Sequence, residues 1–330
     1  MPANLTPDYQ RADQRYREAQ TPAEKLAALE EMLRTIPKHK GTEKLQAELK
    51  RKISQARDAA VSAKKGGGGK DPFHIPSQGA GQVLLVGAPN TGKSAILATL
   101  TKAPVKVAEF PFSTHEPVPG MAHHEDVPIQ LVDTPPVTAD HVPPGLLGAV
   151  HNADVVGIVV SLAADTLLED ADTVLSMLRE KRHRLMTRSV LPAPVAEEPP
   201  PKRGLVMATH LDVAGAQDNL GMLRELIDAE LQIVPVSTAS GENLDVLLRT
   251  LFELLHVVRI YAKPPGKPPD MSAPFIVSKG STVLQLATHI HKEVASQFKH
   301  AKVWGEGVFP GQQVHNDHVL HDKDVVEIHV

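Results

Sequence analysis

The chain has no cysteine among its 330 residues, which excludes disulfides, thiolate metal sites and cysteine nucleophiles. Aromatic residues are scarce at 3 %. No apolar run approaches the ~20 residues needed to span a bilayer, and the longest, Val155 to Leu162, reads as a buried strand. The polar opening, Met1-Pro-Ala-Asn-Leu-Thr6, lacks the apolar core of a signal peptide. These absences are expected of a cytoplasmic protein with no membrane partner. Histidine is abundant at seventeen, yet the pattern is not that of a metal site. His123 and His124 are adjacent, and His289 and His291 lie two apart on an expected helix, facing different directions. His315, His318 and His321 have no acidic partner at ligand spacing. No Ser–His–Asp arrangement and no isolated carboxylate pair stands out.

What is present is a phosphate-binding loop. Gly87-Ala88-Pro89-Asn90-Thr91-Gly92-Lys93-Ser94 fits G-x-x-x-x-G-K-[ST]. The apolar run Gln82 to Val86 precedes it as a short strand, and Ser94 to Leu100 opens a helix that includes Ala95. Glycines let consecutive backbone N–H groups turn toward phosphate at the positive end of a helix. Lys93 is expected to reach the β- and γ-phosphates, and the Ser94 hydroxyl to hold Mg²⁺.

Later runs favour guanine. Pro128-Ile-Gln-Leu-Val-Asp133 places a carboxylate at a strand tip, where it can support Mg²⁺ through water. Gly204 to Ala208 is another run, followed by Thr209-His210-Leu211-Asp212. This matches the guanine-reading N-K-x-D motif in its last residue. The Asp212 oxygens can accept from guanine N1–H and the exocyclic amine, a donor pair adenine lacks. A further run, Leu231 to Val236, leads into Ser237-Thr238-Ala239, similar to the S-A-x loop that meets the guanine carbonyl. Alternation of strands and helices from Gln82 to His256 predicts an α/β, doubly wound and mostly parallel sheet.

The segment Ala108-Glu-Phe-Pro-Phe-Ser-Thr114-His-Glu-Pro-Val-Pro-Gly120 resembles the first switch of Obg-type GTPases, roughly Y-P-F-T-T-x-x-P-x-x-G. The resemblance implies that Thr114 coordinates Mg²⁺ and senses the γ-phosphate. Within that group the chain most resembles the developmentally regulated GTP-binding proteins, which join an N-terminal helical segment, a G domain and a C-terminal TGS domain of β-grasp fold. Arg259-Ile-Tyr261-Ala-Lys-Pro-Pro, Lys279-Gly280-Ser281, His289-Ile-His291-Lys, Ala301-Lys-Val-Trp304-Gly305, Pro310-Gly311-Gln312 and Asp322-Lys-Asp324-Val-Val-Glu-Ile328 carry the C-terminal likeness. Read from the residues alone, that segment is a small α+β sheet with one crossing helix and turns at Gly280, Gly311 and Asp322 to Asp324. The resemblance implies GTP and GDP as ligands and ribosome or RNA contact.

Several positions depart from the motifs. The third motif, D-x-x-G, is Asp133-Thr134-Pro135-Pro136, so the residue that donates its N–H to the γ-phosphate is a proline without one. Val137 stands where Ras-like proteins place a water-orienting glutamine, and the resembled family also has an apolar residue there. Asn90, three residues before Lys93, matches a position that binds K⁺ in several GTPases, or it shapes the loop. His210 for lysine removes an aliphatic stem from beside the base but leaves an imidazole to stack on it. Slow hydrolysis, with Lys93, Thr114 and Asn90 in the catalytic roles, is the leading reading. A non-hydrolysing GTP- or GDP-binding interaction protein and an RNA-binding adaptor with a degenerate second switch stay open.

Charge is uneven. Lys38 to Lys70 holds ten Lys and Arg against three Asp and Glu, a net of +7 in a chain of net −4, which leaves −11 elsewhere. That segment takes in the second of two amphipathic helices expected between Thr6 and Ala63, broken near Ile36-Pro37, and the start of the flexible linker at Lys64 to Lys70. It is either a solvated face or an arm for RNA phosphates, and having no aromatics it does not stack on bases. The expected parts are a helical hairpin over 1–65, a Gly-rich linker over 66–80, a G domain over 81–256 and a β-grasp domain over 257–330. A Pro-rich loop over 182–203 interrupts the G domain, as a disordered stretch or a seat for a partner protein.

Overall fold

The computed structural model describes residues 11, 15–16, 22–36, 52, 72–101, 116–192 and 200–330. The chain divides into two units, Met1–Asp71 and Pro72–Val330. In the first, helix α1 (Pro22–Thr35) buries Ala28, Leu29 and Met32, with Ile36 just beyond its end. Those positions recur on one face of a 3.6-residue period. Apart from Lys52, the basic segment from Lys38 to Lys70 lies outside the described residues, as does the first part of the Gly-rich linker, 66–71.

The second unit holds two sheets. The larger takes strands β1 (Gln82–Val86), β2 (Val118–His124), β3 (Val127–Asp133), β4 (Val155–Ser161), β5 (Leu185–Met186), β6 (Lys202–Thr209) and β7 (Ile233–Pro235). Their order is β2-β3-β1-β4-β6-β5, with β7 also on β6, and every pairing except β2 with β3 is parallel. All residues of β1 and β4 are buried, which explains their unbroken apolar sequences.

Successive residues of these strands feed opposite cores. Leu84, Val86, Val156 and Ile158 pack under α3 (Leu146–Asn152), α4 (Leu167–Glu180) and α5 (Ala216–Leu226). Val83, Leu85, Val155 and Val159 pack under α2 (Lys93–Leu100) and α6 (Leu244–Leu255). The doubly wound, mostly parallel architecture is therefore present. Two elements differ from the sequence reading. Strand β5 lies inside the stretch taken as irregular, where Leu185 and Met186 pair beside Lys202 and Arg203. Strand β2, with Pro119 and Gly120 in it, closes a hairpin on β3 through the two-residue turn Glu125-Asp126.

The smaller sheet runs β11-β10-β12-β8-β9, from β8 (Val257–Ala262), β9 (Phe275–Ser278), β10 (His300–Trp304), β11 (Gln312–Val314) and β12 (Asp324–His329). Helix α7 (Val283–Ile290) crosses it, started by a Thr282–Gln285 capping box, with short α8 (Lys292–Ser296) following His291. Val258, Ile260, Val283, Leu286, Ala301, Val303 and Val326 form its core. This is the expected small α+β sheet with a crossing helix. A single left-handed residue, His256 at φ 56°, joins α6 to β8.

Candidate nucleotide site

The sequence-derived site residues within the described chain gather at the carboxyl ends of β1, β3, β6 and β7, where open α/β sheets bind ligands. Between β1 and α2 the loop follows the phosphate-binding pattern. A Cβ on Gly87 would meet the Val159 carbonyl oxygen at 2.3 Å, so glycine is required there for the loop to lie against β4. Gly92 has φ 91° and faces Thr209. Asn90 is exposed with φ 60°, while Pro89 and Ala95 are half-buried. Lys93 is 6 % exposed, and its ammonium donates to the carbonyls of Ala88 at 2.7 Å and Gly87 at 3.1 Å. Burial lowers its pKa to about 8, against the opposing charges of Asp133 and Asp170.

Beside it, the Ser94 hydroxyl donates to Asp133 Oδ2 at 2.5 Å. Asp133 is 1 % exposed, and burial raises its pKa despite the Ser94 bond and the Lys93 charge. Its Oδ1 is buried with no hydrogen-bond partner. A carboxylate oxygen in that condition, next to a hydroxyl and the phosphate loop, fits Mg²⁺, which is held by one or two protein oxygens with phosphates and waters completing the shell. Among the described residues, no group of three or more His, Asp and Glu has the arrangement of an all-protein metal site.

The loop after Asp133 is tied down. Thr134 Oγ1 donates to the Leu85 carbonyl at 2.7 Å, and Pro135 and Pro136 are buried. The next donor after the prolines, the Val137 N–H, bonds the Gly87 carbonyl at 3.1 Å. Thr138 and His141 exchange backbone hydrogen bonds at 3.0 and 3.2 Å. From Pro135 to Thr138, two residues lack an N–H and two have theirs engaged.

At the base end, Thr209 Oγ1 donates to the Thr91 carbonyl at 2.7 Å, fastening β6 to the phosphate loop. The Nδ1 of His210 lies 2.9 Å from both Ser161 Oγ and Thr209 Oγ1, and φ at His210 is 60°. Asp212 is exposed and accepts from the buried Ser237 hydroxyl at 2.5 Å. That bond, foremost, holds its pKa below the ordinary carboxylate value. Thr238, half-buried, follows Ser237. Thus Thr209, His210, Asp212, Ser237 and Thr238 are brought together, while Thr114 lies outside the described residues. The bonds from Thr209 to the loop and from Val137 to Gly87 escaped sequence reasoning, because each ends on a backbone carbonyl of a distant segment. Among the described residues, no helix is long and apolar enough to cross a membrane.

Residues 82–190 match the family described as 50S ribosome-binding GTPase, and residues 258–330 match the TGS domain. The chain is 29 % identical over 360 residues to an uncharacterized GTP-binding protein of Methanocaldococcus jannaschii, with 92 % of each covered. It is 29 % identical over 370 residues to developmentally-regulated G-protein 3 of Arabidopsis thaliana, covering 92 % of this chain and 98 % of that one. Ribosome-interacting GTPase 1 of Saccharomyces cerevisiae is 26 % identical over 368 residues, at 93 % and 99 % coverage. Among solved structures, the Schizosaccharomyces pombe YchF GTPase aligns over 77 % of this chain and 99 % of its own, with TM-score 0.51 and 12 % identity. At that identity the likeness is one of fold.

Proposed function

Starting from a chain that is a homologue of the developmentally regulated GTP-binding proteins, with a GTPase domain and a TGS domain in that order, we propose that it binds GTP and GDP with Mg²⁺. It hydrolyses GTP slowly and associates with ribosomes or translation-related RNA in the cytoplasm. One observation carries the binding reading: the unpartnered Oδ1 of buried Asp133, beside the Ser94 hydroxyl and the Lys93 ammonium. Lys93 exchanges loop carbonyls for phosphate oxygens, and the backbone N–H groups from Asn90 to Ser94 supply further donors. Ser94 and Asp133, with Thr114, hold the cation, which when bound neutralises charge on the β- and γ-phosphates. Asp212, oriented by Ser237, reads the guanine edge, His210 lies along the base, and Thr238 adds the backbone contact to its carbonyl. Asn90 offers a K⁺ ligand at the rim of the loop.

Three features support a slow rate. Val137 provides no group to orient water, Pro136 no N–H, and the Val137 N–H is committed to Gly87. The same commitment favours a second reading, in which the chain holds GTP or GDP intact as an interaction protein. Ribosome association follows the names of its relatives and the net charge of Lys38 to Lys70. The proposed parts remain 1–65, 66–80, 81–256 and 257–330, with the Pro-rich stretch of 182–203 as a seat for a partner protein. Single-turnover hydrolysis in K⁺ and in Na⁺, each with and without ribosomes, tests the proposal. Turnover that rises with K⁺ or ribosomes is expected. GTP that binds and stays intact in all four conditions would establish the second reading.

A further inference from the structure

Strand β3 ends at two different polar sites. At its carboxyl end Asp133 meets Ser94. At its other end, about 20 Å away at ~3.3 Å per residue, the turn Glu125-Asp126 receives Arg259 from β8 of the smaller sheet. The Arg259 side chain is 3 % exposed. Its Nη1 donates to Glu125 Oε2 at 2.5 Å and Asp126 Oδ1 at 2.7 Å. Its Nε and Nη2 fork onto the two oxygens of Asp322 at 3.1 and 3.2 Å. The guanidinium also lies 5.0 Å from the ring centroid of Phe252 on α6. Two residues along β8, on the same face, the Tyr261 hydroxyl donates to Asp126 Oδ2 at 2.6 Å, and Lys323 adds a bond to Glu125 at 3.0 Å.

A buried arginine shared among three carboxylates is not accounted for by stability alone. Buried charge is dearly desolvated, and an apolar contact of equal volume serves stability as well or better. What such a cluster adds is a fixed geometry, because the guanidinium fork bonds at defined angles. That geometry fixes the turn of the one hairpin whose far end carries Asp133. The loop after Asp133 has its donors engaged, and this leaves the body of β3 as the continuous element between the two places.

We propose that Arg259 is a coupling residue: through the Glu125-Asp126 turn and strand β3 it links the nucleotide state at Asp133 to the C-terminal sheet. The proposal rests on the nucleotide-binding reading above. By linkage the coupling runs both ways, so loosening the Arg259 cluster changes the preference for GTP over GDP by the same factor that nucleotide changes the cluster.

The test uses the full chain, with a non-hydrolysable GTP analogue and GDP as probes. In the wild type, amide exchange within Val257–Ala262 and Asp324–His329 differs between the two nucleotides. In Arg259→Met that difference disappears, and the ratio of the two affinities shifts on the order of fivefold, at the low end of allosteric couplings. Arg259→Lys, keeping charge without the fork, falls between. Should Arg259→Met fail to fold, Asp126→Asn combined with Tyr261→Phe loosens the same cluster from its other members. An unchanged affinity ratio in a variant whose β8 and β12 amides exchange faster than wild type overturns the coupling alone. A wild-type chain that binds neither nucleotide overturns the nucleotide reading and the coupling with it.

Discussion

The two ends of β3 hold acidic residues in opposite conditions. Asp133 is enclosed, leaves one oxygen without a partner, and has its pKa raised by burial. Asp126 is partly exposed, yet against the effect of burial the bonds from Tyr261 and Arg259 hold its pKa down. Glu125 is lowered likewise, foremost by Lys323 and then by Arg259. One end is an incomplete site that a cation would finish. The other is already complete, and its polar groups are spent on the protein itself. A destabilised carboxylate is retained where a ligand needs it, and a satisfied one where two sheets must stay in register.

The sharpest way to break that contrast is at the complete end. Arg259→Met leaves Asp126 and Asp322 without their shared cation while Glu125 keeps Lys323, and urea unfolding should report a loss of about 3 kcal/mol, the low end for a broken buried pair because the carboxylates are partly exposed. A loss under 1 kcal/mol would mean the cluster is no better than a surface pair. At the incomplete end, Lys93→Ala should weaken GTP and GDP binding by on the order of 100-fold, the equivalent of one or two charge-assisted hydrogen bonds. Calorimetry reads this directly, and retained binding would remove phosphate from the account of the loop.

Smaller effects sharpen the comparison. Lys93 in the free protein titrates at about 8, so only its charged form, dominant below that value, is ready to meet phosphate. Affinity for GTP should be level up to pH 7 and fall by about tenfold between pH 7 and 9; a flat profile would count against a phosphate role for Lys93. The carboxylates should titrate with opposite signs. Asp133 has a folded pKa above its unfolded one, so its contribution is present at low pH and lost as pH rises through the folded value. Asp126 and Glu125 have depressed folded values, and their contribution is lost as pH falls through those values. Asp133→Asn should therefore raise the neutral-pH stability of the nucleotide-free protein by about 1 kcal/mol. It should also remove the Mg²⁺-dependent part of nucleotide affinity. Stability unchanged by the substitution would mean that Oδ1 is satisfied after all.

Much of the nucleotide end was legible because its chemistry is local. A parallel strand buried on both faces must be an unbroken apolar run, and a loop that cradles phosphate must place its glycines at fixed offsets. Gln82 to Val86 and Gly87 to Ser94 satisfy both within thirteen residues of chain. Strand β2 has neither signal. Val118-Pro-Gly-Met-Ala-His-His124 is extended because β3 pairs with it, and Pro119 is tolerated because β2 is an edge strand. Strand β5 is two residues long and owes its existence to β6. The Arg259 cluster left one trace: Arg259 and Tyr261, two apart in an apolar strand, must share a face. Glu125 and Asp126 lie more than 130 positions upstream and Asp322 lies 63 downstream, and nothing local joins them. The spent N–H of Val137 was hidden for a related reason, since a backbone donor has no signature in the side-chain sequence.

The joint at His256 gives the C-terminal sheet a standing that sequence modules rarely have. One left-handed residue separates the last turn of α6 from the first residue of β8, with no slack between them. Lys279 N–H closes on the His256 carbonyl at 2.9 Å, so even this joint belongs to the smaller sheet's hydrogen bonding. A chain cut after His256 would bare Phe252 and strand the Glu125-Asp126 acids in water. Shuffling this module onto another G domain would require transplanting the hairpin turn with it.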